Sequence, residues 1–265
     1  MRVRVAVGAA AAAAAAIVIG VVLATRQDPS QPQVQCKQAP SAVVIPGVRS
    51  AHAAAVRAAF AHWPQGTLTR LGALAQQHPG DPVVSFNYGL ALECRGYFGD
   101  AAHAFEAAKR SGRDTQYEID ADQLLHPQFF QSGYPAFEPS TNDPLLVRGA
   151  LLQRQGHQHS AERAYAEAAR LHPDDPEALT AAAVGRFDED NLAAAFSRLG
   201  PLTKRFPRSQ TVRYHLGLLL VWIGQAKQGI AEFRLAQRLG PHTVLGQQAG
   251  AILSRIQRGT SPRRK

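Results

Sequence analysis

Cysteine is scarce in this chain. Among 265 residues there are two, Cys36 and Cys94, and no Cys-x-x-Cys pair. That removes a zinc ribbon and a dithiol redox motif. There is no Gly-x-Ser-x-Gly, no glycine-rich phosphate loop and no pair of carboxylates in a catalytic frame, so no catalytic, cofactor-binding or metal residues are expected. His157 and His159 flank Gln158 without a third ligand at a useful spacing, and read as a solvated turn. Aromatic residues make up 7%, too few for a large core that encloses a ligand. Acid nearly disappears at one end. Residues 191–265 hold 13 Lys and Arg against a single acid, Glu232, whereas residues 100–190 hold 8 against 16. The basic end either meets an anionic polymer or lipid, through Lys204, Arg205, Arg208, Arg213, Lys227, Arg234, Arg238, Arg255 and Arg258, or is a solvated face.

What is present is apolar and rich in alanine: 45% of the chain is hydrophobic. Val5 to Ala24 carries no charge and would span about 30 Å as a helix, the thickness of a bilayer core. Arg2 and Arg4 precede it, which keeps the N-terminus cytoplasmic and sends the rest across the plasma membrane. Residues 1–26 are thus expected to be a transmembrane signal anchor. The rival is a signal peptide cleaved near Ala24, which would leave a secreted chain. Residues 27–47 are rich in Pro, Gln and Ser and read as a linker.

From residue 48 the signals are helical. Pro173, Pro207 and Pro241 are spaced 34 and 34 apart, and each closes a unit of two helices. Gly89, Gly96, Ala101, Phe105 and Ala108 match Gly149, Gly156, Ala161, Tyr165 and Ala168 column for column. They also match Gly217, Gly224, Gly229, Phe233 and Ala236. Asp81-Pro82, Asp143-Pro144 and Asp175-Pro176 are helix starts, with Asp as cap and Pro in the first turn. The unit from Pro176 is degenerate, with Ala183, Asp190, Ala195 and Leu199 in the key columns. This register resembles the tetratricopeptide repeat (TPR), whose motif carries Gly, then Ala-x3-Phe, then Pro every 34 residues. Its Trp column is replaced by Ser85, Leu145, Leu179 and Arg213.

The resemblance implies an all-α, right-handed solenoid of antiparallel helix pairs over 48–258. Val244 to Ile256 would be its cap helix, and 259–265 a basic tail. Units starting at Pro82 and Asn142 lie 60 residues apart, which places an insert of about 26 residues near 115–141. Its rings, Phe129, Phe130, Tyr134 and Phe137, either form a loop on the binding face or pack back over the array. Packing back is favoured, because four exposed aromatics would aggregate.

The resemblance also implies a groove for a protein or peptide partner. The family's groove positions fall on Phe86, Leu90 and Glu93, then Leu146, Gln153 and Arg154, then Thr180, Phe187 and Asp188, then Tyr214, Leu218 and Trp222. The competing reading of each is packing between helices. Cys36 and Cys94 are a candidate disulfide tying the linker to the array; two independent thiols are the alternative. The layout is similar to that of bacterial TPR proteins with one N-terminal span, which aid assembly of envelope complexes. The expected role is therefore a non-enzymatic scaffold, outside the cytoplasm and without nucleic acid as partner.

Overall fold

The computed structural model describes residue 36 and residues 38–127, 135–187 and 191–260, all within the unit Gln33–Lys265. The fold is all-α: among the described residues there are twelve helices and no strand. The first block contains α1 (Ala53–Phe60), α2 (Gln65–Gln77), α3 (Pro82–Cys94), α4 (Phe98–Ser111) and α5 (Gln116–Leu125). The second contains α6 (Pro144–Arg154), α7 (Gln158–Leu171), α8 (Pro176–Gly185), α9 (Leu192–Arg205), α10 (Gln210–Trp222), α11 (Ala226–Leu239) and α12 (Val244–Thr260). The expected membrane segment, Val5 to Ala24, lies outside the described residues, as do Phe129, Phe130 and Tyr134. Among the described residues no helix is long and apolar enough to cross a membrane.

The helix starts follow from local chemistry. Asp81, Asp143 and Asp175 each accept hydrogen bonds from two backbone N–H groups of the first turn, with Pro at its start. Those bonds satisfy donors that have no partner inside the helix. The turns joining helices are as specific. Gly96, Gly156 and Gly224 have φ of 78°, 80° and 84°, a left-handed conformation that favours a residue without Cβ.

Consecutive helices fold back on one another. α3 packs on α4, α4 on α5, α6 on α7, α7 on α8, α10 on α11 and α11 on α12. Glycine sets how closely they approach. A Cβ on Gly149 would run into the Tyr165 ring, and one on Gly217 would sit 2.9 Å from the Phe233 ring. Tyr165 and Phe233 are fully buried there. Alternate helices also meet: α3 with α5, α6 with α8, α8 with α10, and α10 with α12. In the second block the first helices α6, α8 and α10, followed by α12, thus form one continuous row.

The insert differs from its expected form. Gln116–Leu125 is helical, where the sequence pattern suggested a loop throughout 115–141. Tyr117 and Ala121, four residues apart, are fully buried, and α5 covers α4 as α8 covers α7. The face of α4 that a next repeat would cover needs an apolar partner, and α5 supplies it. In the second half of the insert the described residues, 135–141, are non-helical.

The blocks are joined by polar contacts. Asp114, at φ 59°, accepts hydrogen bonds from the His159 and Ser160 N–H groups (2.9 and 3.2 Å) and from the Ser160 hydroxyl (2.7 Å). It caps α7, whose own N-cap, His157, makes no such bond. His157 reaches the Asp114 carbonyl at 2.9 Å, and His159 lies 2.8 Å from the Glu118 carboxylate. These two histidines are half-buried in a joint, not in the solvated turn expected of them. Burial pushes the Asp114 carboxyl up, but the hydrogen bonds from Ser160 and His159 outweigh it and hold the group below the usual range. Asp114→Ala is expected to cost about 1–2 kcal/mol, the value of an N-cap. Urea denaturation monitored by circular dichroism measures it, and Asp114→Asn should retain most of the stability.

Candidate functional site

A buried polar side chain on a helix must find a partner, because an unpaired one costs on the order of 1–3 kcal/mol. The first helices carry several. Asn87 sits in the apolar run of α3 and is fully buried. Its Oδ1 accepts the Val43 N–H at 2.7 Å, and its Nδ2 donates to the Val43 carbonyl at 2.7 Å. One amide thus grips both backbone groups of one residue. Tyr117 on α5 continues the pattern: its hydroxyl accepts the Ile45 N–H and donates to the Val43 carbonyl, both at 3.0 Å. Residues 42–45, read from sequence as part of a free linker, therefore lie on the first block. The Cys36 and Cys94 sulfurs are 2.10 Å apart, at bonding distance, and the Cys36 N–H donates to the Cys94 carbonyl at 3.1 Å.

The second block holds its own insert in the same manner. Gln153 Oε1 accepts the Phe137 N–H at 2.9 Å and the Tyr165 hydroxyl at 3.1 Å. His215 Nε2 accepts the Glu138 N–H at 2.9 Å. Glu177 Oε1 accepts the N–H groups of Ser140 and, at 3.1 Å, Thr141. Arg154 pairs with Glu138 at 3.0 Å. Phe137 is fully buried, its ring edge-on to Tyr165 (5.3 Å) and stacked on His215 (4.8 Å). The favoured reading of the insert, packing back over the array, describes Phe137. Pro135–Thr141 thus runs across α6, α8 and α10, and the cavity left beside it is only about 10 Å³, room for one water at most.

His215 is fully buried beside this segment. Its Nε2 accepts a hydrogen bond, so its proton sits on Nδ1 and donates to the Thr211 carbonyl at 2.8 Å. Burial lowers its pKa to about 4, with the Thr211 bond opposing in part. Burial, with Glu138 nearby, pushes the Tyr214 hydroxyl up to about 12. Burial also raises the Glu93 carboxyl on α3.

The groove positions inferred from the repeat divide into two sets. Gln153, Arg154, Tyr214 and Leu218 surround the Pro135–Thr141 segment or the cavity beside it. Phe86 is buried between the Phe105 and Tyr117 rings, Leu90 packs on the first core and Leu146 is fully buried. Thr180 is buried, with its hydroxyl bonded to the Pro176 carbonyl of its own helix at 2.6 Å. The Phe187 ring meets Trp222 edge-on at 4.6 Å. Glu93 is half-buried, and Asp188 lies outside the described residues. Asn87, Tyr117, Glu177 and His215 were not singled out from sequence. Their signal was a polar residue in an apolar helical run, such as Asn87 in Val83-Val84-Ser85-Phe86-Asn87. Of the basic residues, Arg205 pairs with Asp174, and Arg213 lies 3.2 Å from Glu232. Among the described residues no group of three His, Cys, Asp or Glu is placed to hold a metal.

No protein-family model matches this chain, and no curated protein or solved structure matches it.

Two tests follow from this geometry. Reducing the Cys36–Cys94 pair, which closes a 58-residue separation, should lower stability by about 4 kcal/mol on a chain-entropy estimate. Denaturation with and without reductant reads this, and a thiol assay of the unreduced, denatured chain should find no free thiol. The second test concerns His215. Its folded pKa, about 4, lies below its ordinary 6.5. The neutral ring therefore stabilises the fold fully above pH 6.5, and the contribution is lost as pH falls towards 4. Lowering pH from 7 to 5 should cost roughly 2 kcal/mol through this residue. Comparing denaturation at the two pH values in wild type and His215→Phe isolates it; the variant should lack this component of the slope.

Proposed function

We propose that this chain is a TPR-type scaffold, not an enzyme, which holds an extended segment of another protein against its first helices. The observation carrying this reading is the set of side chains aimed at main-chain groups. Asn87, Tyr117, Gln153, Glu177 and His215 each bond backbone N–H or C=O of an extended segment. Such bonds recognise a peptide backbone whatever its sequence, and neighbouring pockets then select side chains. The repeat columns, with Gly149 under Tyr165 and Gly217 under Phe233, support a helical-repeat array.

On this reading Val5 to Ala24 anchors the chain in the plasma membrane and the array lies outside the cytoplasm. The Cys36–Cys94 bond supports that compartment, because disulfides persist in oxidising surroundings. The role that fits this layout is assembly of envelope complexes, by analogy of layout alone.

Photo-crosslinkers placed singly at Glu93, Arg154 and Arg234 in native membranes test the reading. Glu93 and Arg154 stand at the C-terminal ends of the first helices α3 and α6, whereas Arg234 is on the second helix α11. Discrete protein adducts are expected from Glu93 or Arg154 and not from Arg234. Indistinguishable adducts of bulk membrane proteins at all three positions would overturn it.

A further inference from the structure

Each block holds an extended piece of its own chain, but the two pieces are fastened differently. Residues 42–45 follow Cys36, which is bonded to Cys94 on α3, so that segment is covalently pinned to its face. Pro135–Thr141 has no such pin. It is held by Gln153, Glu177, His215 and Arg154, and by one ring, Phe137, inserted beside Tyr165. Gln153 is nine-tenths buried, and while its Oε1 takes two donors, its Nε2 has no partner. A side-chain amide that offers both a donor and an acceptor suits a backbone with a carbonyl as well as an N–H, as Asn87 shows on the first block. The internal segment uses only half of what Gln153 presents.

We infer that the face of α6, α8 and α10 is a binding site for an extended peptide with an aromatic residue followed by an acidic one, and that Pro135–Thr141 is its displaceable internal occupant. The inference rests on the scaffold reading and names that scaffold's ligand class. The aromatic ring takes the place of Phe137 against Tyr165 and His215. The acid takes the place of Glu138 beside Arg154. The backbone takes the bonds of Gln153, His215 and Glu177, and its carbonyl can take the free Gln153 N–H. A tethered occupant competes at an effective concentration on the order of millimolar, so the site is closed to weak ligands until a partner with a better match, or a second contact, arrives.

The experiment uses the full chain and a fluorescein-labelled peptide Pro-Ala-Phe-Glu-Pro-Ser-Thr, read by fluorescence anisotropy. Phe137→Ala removes the internal ring and leaves its pocket. This variant should bind the peptide at least tenfold more tightly than wild type does, and should bind the Phe-to-Ala version of the peptide at least tenfold more weakly. A folded variant that binds neither peptide, or both alike, overturns the inference. Native-state hydrogen exchange on wild type supplies a measurement that does not depend on the variant folding. The Phe137, Glu138 and Thr141 amides should exchange at least a hundredfold faster than buried amides of α10. Exchange of both sets in step, only on global unfolding, makes the segment a permanent part of the core and overturns the inference. Either failure leaves the crosslinking comparison at Glu93, Arg154 and Arg234 to decide the scaffold reading separately.

Discussion

The rest of this molecule depends on a close approach of backbone to ring. Gly149 lies under Tyr165, Gly217 under Phe233 and Gly89 under Phe105, so that each pair of helices can cross with an aromatic ring filling the space a side chain would take. Interiors pack densely, and a methyl group added at such a contact has nowhere to go. Once the pairs are set at this distance, the first helices of the second block, α6, α8 and α10, line up in one row.

The first helices present polar groups that a helix core would not tolerate unpaired. Asn87, Tyr117, Gln153, Glu177 and His215 are held in place by helix packing, and their bonds go to extended backbone. The two blocks solve the same problem separately. Each lays the chain segment that precedes it across its own first helices. Between the blocks the contacts include polar ones, with Asp114 capping α7 and His159 facing Glu118, and Ile119 lies against Gly156. The core of the first block is thus separate from the three clusters of the second, within one compact unit.

Much of this was legible in the residues. The Asp-Pro starts, the turn glycines and the Gly-aromatic columns are local features, each with a physical reason that operates over a few residues, and they appear where the register puts them. The insert was legible only in part. Gln116–Leu125 was grouped with the aromatic stretch as one insert, yet Tyr117 and Ala121 share a face that α4 needs covered. The groove positions divided for a similar reason. Leu146, Thr180 and Phe86 occupy columns that face a ligand in the repeat, but here neighbouring side chains and helices bury them. His157 and His159 looked solvated because nothing nearby in sequence pairs with them; their partners, Asp114 and Glu118, are about forty residues away.

By itself the sequence determined most of the helices, the Asp-Pro starts, the turn glycines and the 34-residue spacing, because these depend on backbone conformation and on spacing within a unit. Only the tertiary structure decided which polar side chains meet backbone and which segment they meet. Asn87 and Val43 are 44 residues apart, and Glu138 and His215 are 77 apart. No periodic pattern connects such pairs. They come together because buried polar groups must be satisfied, and the packed helices determine which ones are within reach.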